Sequence, residues 1–118
     1  MRIAYFHSIG GASGDMMLGA LVDAGVSVEA LKGELAKLSV SGFQISARQD
    51  RRAGLLGTRV LVETEVEPEA SQPRSVSAFI ATIGKSTLDE AVKKQATQVL
   101  KRLGEAEKRA HRLAKGEA

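Results

Sequence analysis

Apolar residues change their spacing several times along this chain, and each change predicts an element. Ile3, Ala4, Tyr5 and Phe6 stand together, a continuous run that predicts a short strand over Arg2–Phe6, buried on both faces. After a glycine-rich turn, Met16, Met17, Leu18, Leu21 and Val22 recur at helical spacing, with Ser13 placed as N-cap and Gly25 as the stop. Ser27 opens a second helix, in which Val28, Leu31, Leu35 and Leu38 follow at steps of three, four and three. Gly33 weakens that helix, since a mid-helix glycine costs about 1 kcal/mol relative to alanine.

The period then becomes two. Phe43, Ile45 and Ala47 alternate with Gln44, Ser46 and Arg48, and Thr58, Val60, Val62, Thr64 and Val66 repeat the pattern. The pair predicts an antiparallel hairpin, with "DRRAGLLG" between the strands as an open loop rather than a two-residue turn. Residues 67–74 hold both prolines and read as a linker. Val76, Phe79, Ile80 and Ile83 mark a short amphipathic helix ending at Gly84, and Thr87 with Glu90 has capping-box spacing. The last helix is expected to bury Leu88, Val92, Ala96, Val99, Leu103, Ala106, Ala110 and Leu113, and its small residues Ala106 and Ala110 would admit a second backbone closely. The order β-α-α-β-β-α-α predicts one α/β domain over residues 1–118. The expected architecture is an α+β-like layer fold, a short mixed three-stranded sheet with about four helices.

Composition narrows the classes. The chain of 118 residues is 43% apolar and 26% charged, as in an ordinary globule, with a core left to aliphatic residues because only three Phe and one Tyr are present. It contains no Cys, which excludes a disulfide framework and a thiolate metal site and fits a cytoplasmic protein. No apolar run approaches the roughly 20 residues of a membrane span, and the N-terminus lacks the pattern of an export signal. The net charge of +3 comes with basic residues between Lys93 and Lys115 that alternate with Glu105 and Glu107, as on a solvated helix face. Without interleaved aromatics or a finger or RNP-type signature, no nucleic-acid partner is expected.

The candidate chemistry centres on the glycine turn, "FHSIGGASGD". A glycine turn between strand and helix offers free N–H groups and the positive end of a helix dipole, so Gly11, Ser13, Gly14 and Asp15 are candidates for a phosphate contact. The Walker A and G-x-G-x-x-G spacings both fail here. Asp15 equally suits the helix N-terminus electrostatically, worth about 0.3–1 kcal/mol, or a hard cation shared with His7. Structural corner, metal–phosphate contact and catalysis all remain open from residue chemistry. Arg48, Arg51 and Arg52 form a basic cluster that would take a mononucleotide phosphate or serve as a solvated hairpin tip. Met16 and Met17 read as core filler before thioether ligands, and Glu63 and Glu65 as a solvated strand face.

The stretch "GASGDMMLGALVDAGV" resembles the N-terminal domain of the LarC family, the nickel-insertion proteins of nickel-pincer cofactor synthesis. The resemblance continues through "GFQISARQDRRAGLLGTRVLVETE", "RSVSAFIATI" and "LDEAVKKQATQVLKRLGEAEKRAH", in order and over the whole chain. It implies CTP-dependent insertion of nickel into a pyridinium bisthiocarboxylate mononucleotide. CTP and a divalent metal would belong to a C-terminal domain that this chain lacks. Departures from the family pattern are His7 in place of an acid, Ser75 and Ser77 within a segment that usually reads "RHL" and an acid, and Arg112 in place of Gly after His111. The implied role is a substrate-, metal- or assembly surface around Gly11, Gly14 and Asp15. Its partners would be a separate C-terminal LarC-like domain or a second copy, and the cofactor precursor. The alternative is a non-catalytic interaction module that dimerises through the last helix.

Overall fold

The computed structural model describes residues 1–65, 75–114 and 116, and the expected linker at 67–74 lies outside them. Their elements are α1 (Gly14–Asp23), α2 (Val28–Ala36), β1 (Phe43–Arg52), β2 (Leu55–Thr64), α3 (Val76–Lys85) and α4 (Glu90–Ala114). The fold is mixed α/β with four helices, but the sheet has two antiparallel strands where three were expected. Arg2–Phe6 forms no strand among the described residues, and Ile3 and Tyr5 are 79% and 85% exposed. An apolar run becomes a strand only when another edge takes up its backbone groups.

The chain divides into two compact units, one of residues 1–32 and 42–65, the other of 33–41 and 66–118. In the first unit the hairpin carries the core. Phe43 pairs with Thr64 and Arg52 with Leu55, so Ile45, Ala47, Val60 and Val62 share one face, and Ile45 and Val60 are its buried members. The turn is tight, two residues long, with Ala53 at φ 49° and Gly54 at φ 80°. Two successive positive φ values match the right-handed strand twist of a type I′ turn. The strands therefore run on through "DRR" and "LLG", and the open loop expected there does not exist.

Helix α1 starts as expected, with Ser13 Oγ accepting the Met16 N–H at 3.3 Å. It ends in a Schellman motif, in which Val26 N–H reaches Leu21 O at 3.0 Å and Gly25 N–H reaches Val22 O at 3.1 Å. Gly25, at φ 115°, supplies the left-handed residue that the motif needs. α1 packs on β2 through Gly19, which is buried; a Cβ there would stand 2.8 Å from Thr58 O. One turn later, Thr58 Oγ1 donates to Asp23 Oδ1 at 2.7 Å. Glu65 N–H donates to Gly42 O at 2.8 Å, and the antiparallel alternation counted from that bond turns the main-chain groups of Thr58 and Val60 outward. The backbone of α1 covers them at that point.

In the second unit, Ser75 caps α3, its Oγ taking the Ala78 N–H at 3.2 Å. α3 runs through Gly84 to Lys85, and Val76 packs against Gly104 of α4. Asp89 caps α4 in place of the expected Thr87, its Oδ2 accepting the Ala91 N–H at 3.2 Å. The face of α4 that is half-buried carries Lys93, Thr97, Leu100 and Gly104, with Ala96 at its edge. The stripe expected to be buried stays exposed at Val92, Val99, Leu103 and Leu113.

Candidate functional site

A cleft of about 600 Å³ runs along β2 in the first unit. Strand register explains what meets there. Asp50, Arg52, Leu55, Arg59 and Leu61 lie on one face of the hairpin, and Leu56, Thr58, Val60 and Val62 on the other. The cleft reaches both sets because it follows the outer edge of β2, and Asp15 and Met16 enter it from the first turn of α1.

Asp50 organises the polar side. Arg59 stands directly across from Arg48, a like-charge pair that costs stability unless something intervenes. Asp50 lies on the diagonal from Arg59 and two residues from Arg52 on the same face. Its Oδ2 is 3.8 Å from both Arg59 Nη1 and Arg52 Nε, and its Oδ1 accepts the Arg51 N–H at 2.9 Å. Contacts of 3.8 Å between part-exposed groups are loose, so each guanidinium keeps donors for an incoming anion. Opposite Asp50 stands Gly57, and nothing lies within 4 Å of where its Cβ would be, which leaves the wall open there. Leu55 and Leu56 line the same cleft at 77% and 60% exposure. Two cationic forks beside bare apolar surface, with Asp15 separate from them, suit a flat anionic ligand that also carries a hydroxyl or a positive charge.

The glycine turn contributes less than its composition suggests. Gly11 needs its freedom, at φ 89°, but nothing lies within 4 Å of a Cβ built on Gly10, Gly11 or Gly14. Ser13 commits its hydroxyl to the helix cap. Of the turn residues and His7, only Asp15 lines the cleft; His7 is exposed outside it, its ring 6.1 Å from that of Tyr5. Among the described residues no three His, Asp, Glu or Cys side chains gather as a metal site. Of the arginine cluster, Arg52 lines the cleft while Arg51 falls on the opposite face of β1. Sequence reasoning missed Asp50 and Arg59. The period-two pattern held the signal for Asp50 beside Arg52, but Arg59 joins them only once the two-residue turn fixes the register.

A sequence model of the family described as nickel insertion protein matches residues 4–118. A relative in Syntrophobacter fumaroxidans, provisionally named as a nickel insertion protein, is 41% identical over 117 residues, covering 99% of this chain and 29% of that protein. Another with the same provisional name, in Thermomicrobium roseum, is 44% identical over 113 residues, with 94% of this chain and 27% of that protein covered. A pyridinium-3,5-bisthiocarboxylic acid mononucleotide nickel insertion protein of Desulfitobacterium hafniense is 36% identical over 111 residues, again 94% and 27%. The chain thus spans less than a third of the length of these relatives. No solved structure matches it.

Proposed function

Because the chain belongs to the nickel insertion protein family, we propose that it is the N-terminal domain of a nickel-insertion protein of nickel-pincer cofactor synthesis. Its own task is to hold the pyridinium bisthiocarboxylate mononucleotide while nickel is delivered. The observation that carries this reading is the cleft itself, where Arg52 and Arg59 flank exposed leucines and Asp15 stands apart from them.

The roles follow from charge and shape. The guanidiniums of Arg52 and Arg59 take the phosphate in forked hydrogen bonds. Leu55, on the same strand face as both arginines, offers an apolar seat to the pyridinium ring. Asp15 faces the ribose hydroxyls or the ring's positive charge, and Asp50 holds both arginines in place when no ligand is bound.

Nickel enters this reading as cargo. The chain has no Cys, and the described residues form no cluster of three ligands, so its donors do not fit a resident nickel site. Nickel favours sulfur and imidazole donors, and the substrate brings two thiocarboxylates of its own. The CTP-dependent chemistry expected of the family is assigned to the part of the longer relatives that this chain does not span.

Calorimetric titration tests the reading with two probes, nicotinic acid mononucleotide and the bisthiocarboxylate mononucleotide. Binding is expected to both, and Arg59→Ala should weaken it about tenfold or more, the loss of one charge-assisted fork of roughly 1.5–3 kcal/mol. Arg51→Ala, on the opposite strand face, should leave it unchanged. Absence of heat from either probe at millimolar concentration, or equal loss in the two variants, overturns the assignment.

A further inference from the structure

Leu100 aside, the apolar residues of α4 from Val92 to Leu113 follow one another at alternating steps of four and three. Seven successive positions keep this 3.5-residue mean, the spacing of a coiled-coil seam. The seam is bare: Val92, Val99, Leu103 and Leu113 are 46%, 67%, 52% and 67% exposed. α3 does not occupy it. Val76 of α3 lies against Gly104, and the half-buried flank of Lys93, Thr97, Leu100 and Gly104 is turned roughly 120° around the helix from the seam's centre. A second helix can therefore lie along the seam beside α3.

Charge selects the occupant and its direction. With Ala96, Leu103 and Ala110 at the first apolar position of each heptad, Arg102 precedes the seam and Glu107 follows it, five residues on. In a parallel pair of identical helices these two positions face each other across the seam, twice by symmetry. Both side chains are exposed, and neither belongs to an ion pair within the chain among the described residues. Antiparallel pairing would instead turn Glu107 toward Lys93. That ammonium is already held by Gly84 O and Glu90 Oε1, both at 3.3 Å, and its side chain is only 17% exposed. We propose that a second copy of this chain docks on the α4 seam in parallel, forming a two-stranded coiled coil closed by reciprocal Arg102–Glu107 pairs.

Sedimentation equilibrium on the 118-residue chain reads the association directly. A concentration-dependent dimer is expected, and Leu103→Lys should make it monomeric while far-UV circular dichroism shows the helices retained. Glu107→Arg and Arg102→Glu should each weaken the dimer about fivefold or more by setting like charges across the seam, and the double swap should restore it. That restoration does not depend on Leu103→Lys folding well. Because the chain has no Cys, Leu113→Cys gives a clean test of direction. Parallel helices bring the two sulfurs together and yield a disulfide dimer on oxidation, whereas antiparallel helices hold them about 30 Å apart. A monomer at about 0.5 mM, well above the range of a stable coiled-coil dimer, leaves the seam to another protein or another segment and overturns the proposal. A dimer that ignores Leu103→Lys or fails to cross-link through Leu113→Cys overturns it equally.

Discussion

Two mid-helix glycines carry opposite consequences, and the difference lies in what a single methyl group would meet. Gly19 is buried against β2, and its Cβ would sit 2.8 Å from the carbonyl oxygen of Thr58, a backbone atom that cannot swing aside. Gly19→Ala would gain about 1 kcal/mol of helix propensity but lose about 1–3 kcal/mol to overpacking. A net fall in the urea midpoint is expected, with α1 lifted from the sheet. Gly33, in α2, has nothing within 4 Å of its Cβ. Gly33→Ala should therefore raise stability by about 0.5–1 kcal/mol, read as a higher midpoint at unchanged slope. Sequence periodicity marked Gly33 as a weakness, but it could not mark Gly19 as a contact. Both are glycines in apolar helices, and only the neighbouring strand distinguishes them. The same holds for the cleft: Asp15 and Arg52 were legible as candidates, while Asp50 and Arg59 acquire meaning from cross-strand geometry.

At the scale of elements, local signals were read well where one residue type has one physical use. Ser13 and Ser27 accept the N–H groups expected of N-caps, and Ser75, which the sequence reading did not single out as a cap, does the same for α3. Two boundaries were misread, each for its own reason. Asp89 displaces Thr87 as the cap of α4, a carboxylate being at least as good an acceptor there. The hairpin tip was hidden because Ala-Gly lacks the Asn or Asp that usually announces a type I′ turn. Ala53 holds φ 49° at a cost, about 1–2 kcal/mol for the left-handed region, and Asn tolerates that region better. Ala53→Asn is accordingly expected to stabilise the hairpin by about 0.5–1 kcal/mol, seen as a rise in thermal midpoint. A fall would show that the tip does not keep this turn. Ala53 and Gly54 do not line the cleft, so mononucleotide affinity should be unaffected.

At the scale of the whole chain, the largest departure from sequence expectation concerns Arg2–Phe6. Its apolar run reads as a buried strand, yet Ile3, Tyr5 and Phe6 are 79%, 85% and 47% exposed. The two buried hydrophobic residues of the described chain, Ile45 and Val60, belong to the hairpin. Pattern alone tells which residues want burial; it does not tell which surface will receive them, and the relatives have more than three times this chain's length in which to provide one. Hydrogen exchange turns this into a measurement. Amide protection requires a bonded N–H in a segment that opens rarely, so the inner ladder around Ser46 and Leu61 should exchange slowest in the first unit. The amides of Arg2–Phe6, with no hydrogen-bond partner of their own among the described backbone contacts, should exchange at the rates of unstructured chain. Protection at Arg2–Phe6 matching that of the ladder would mean that the third strand forms on this chain after all, and that α1 leaves a sheet edge for it. Protection that arises only when the mononucleotide is added would tie that strand to the cleft.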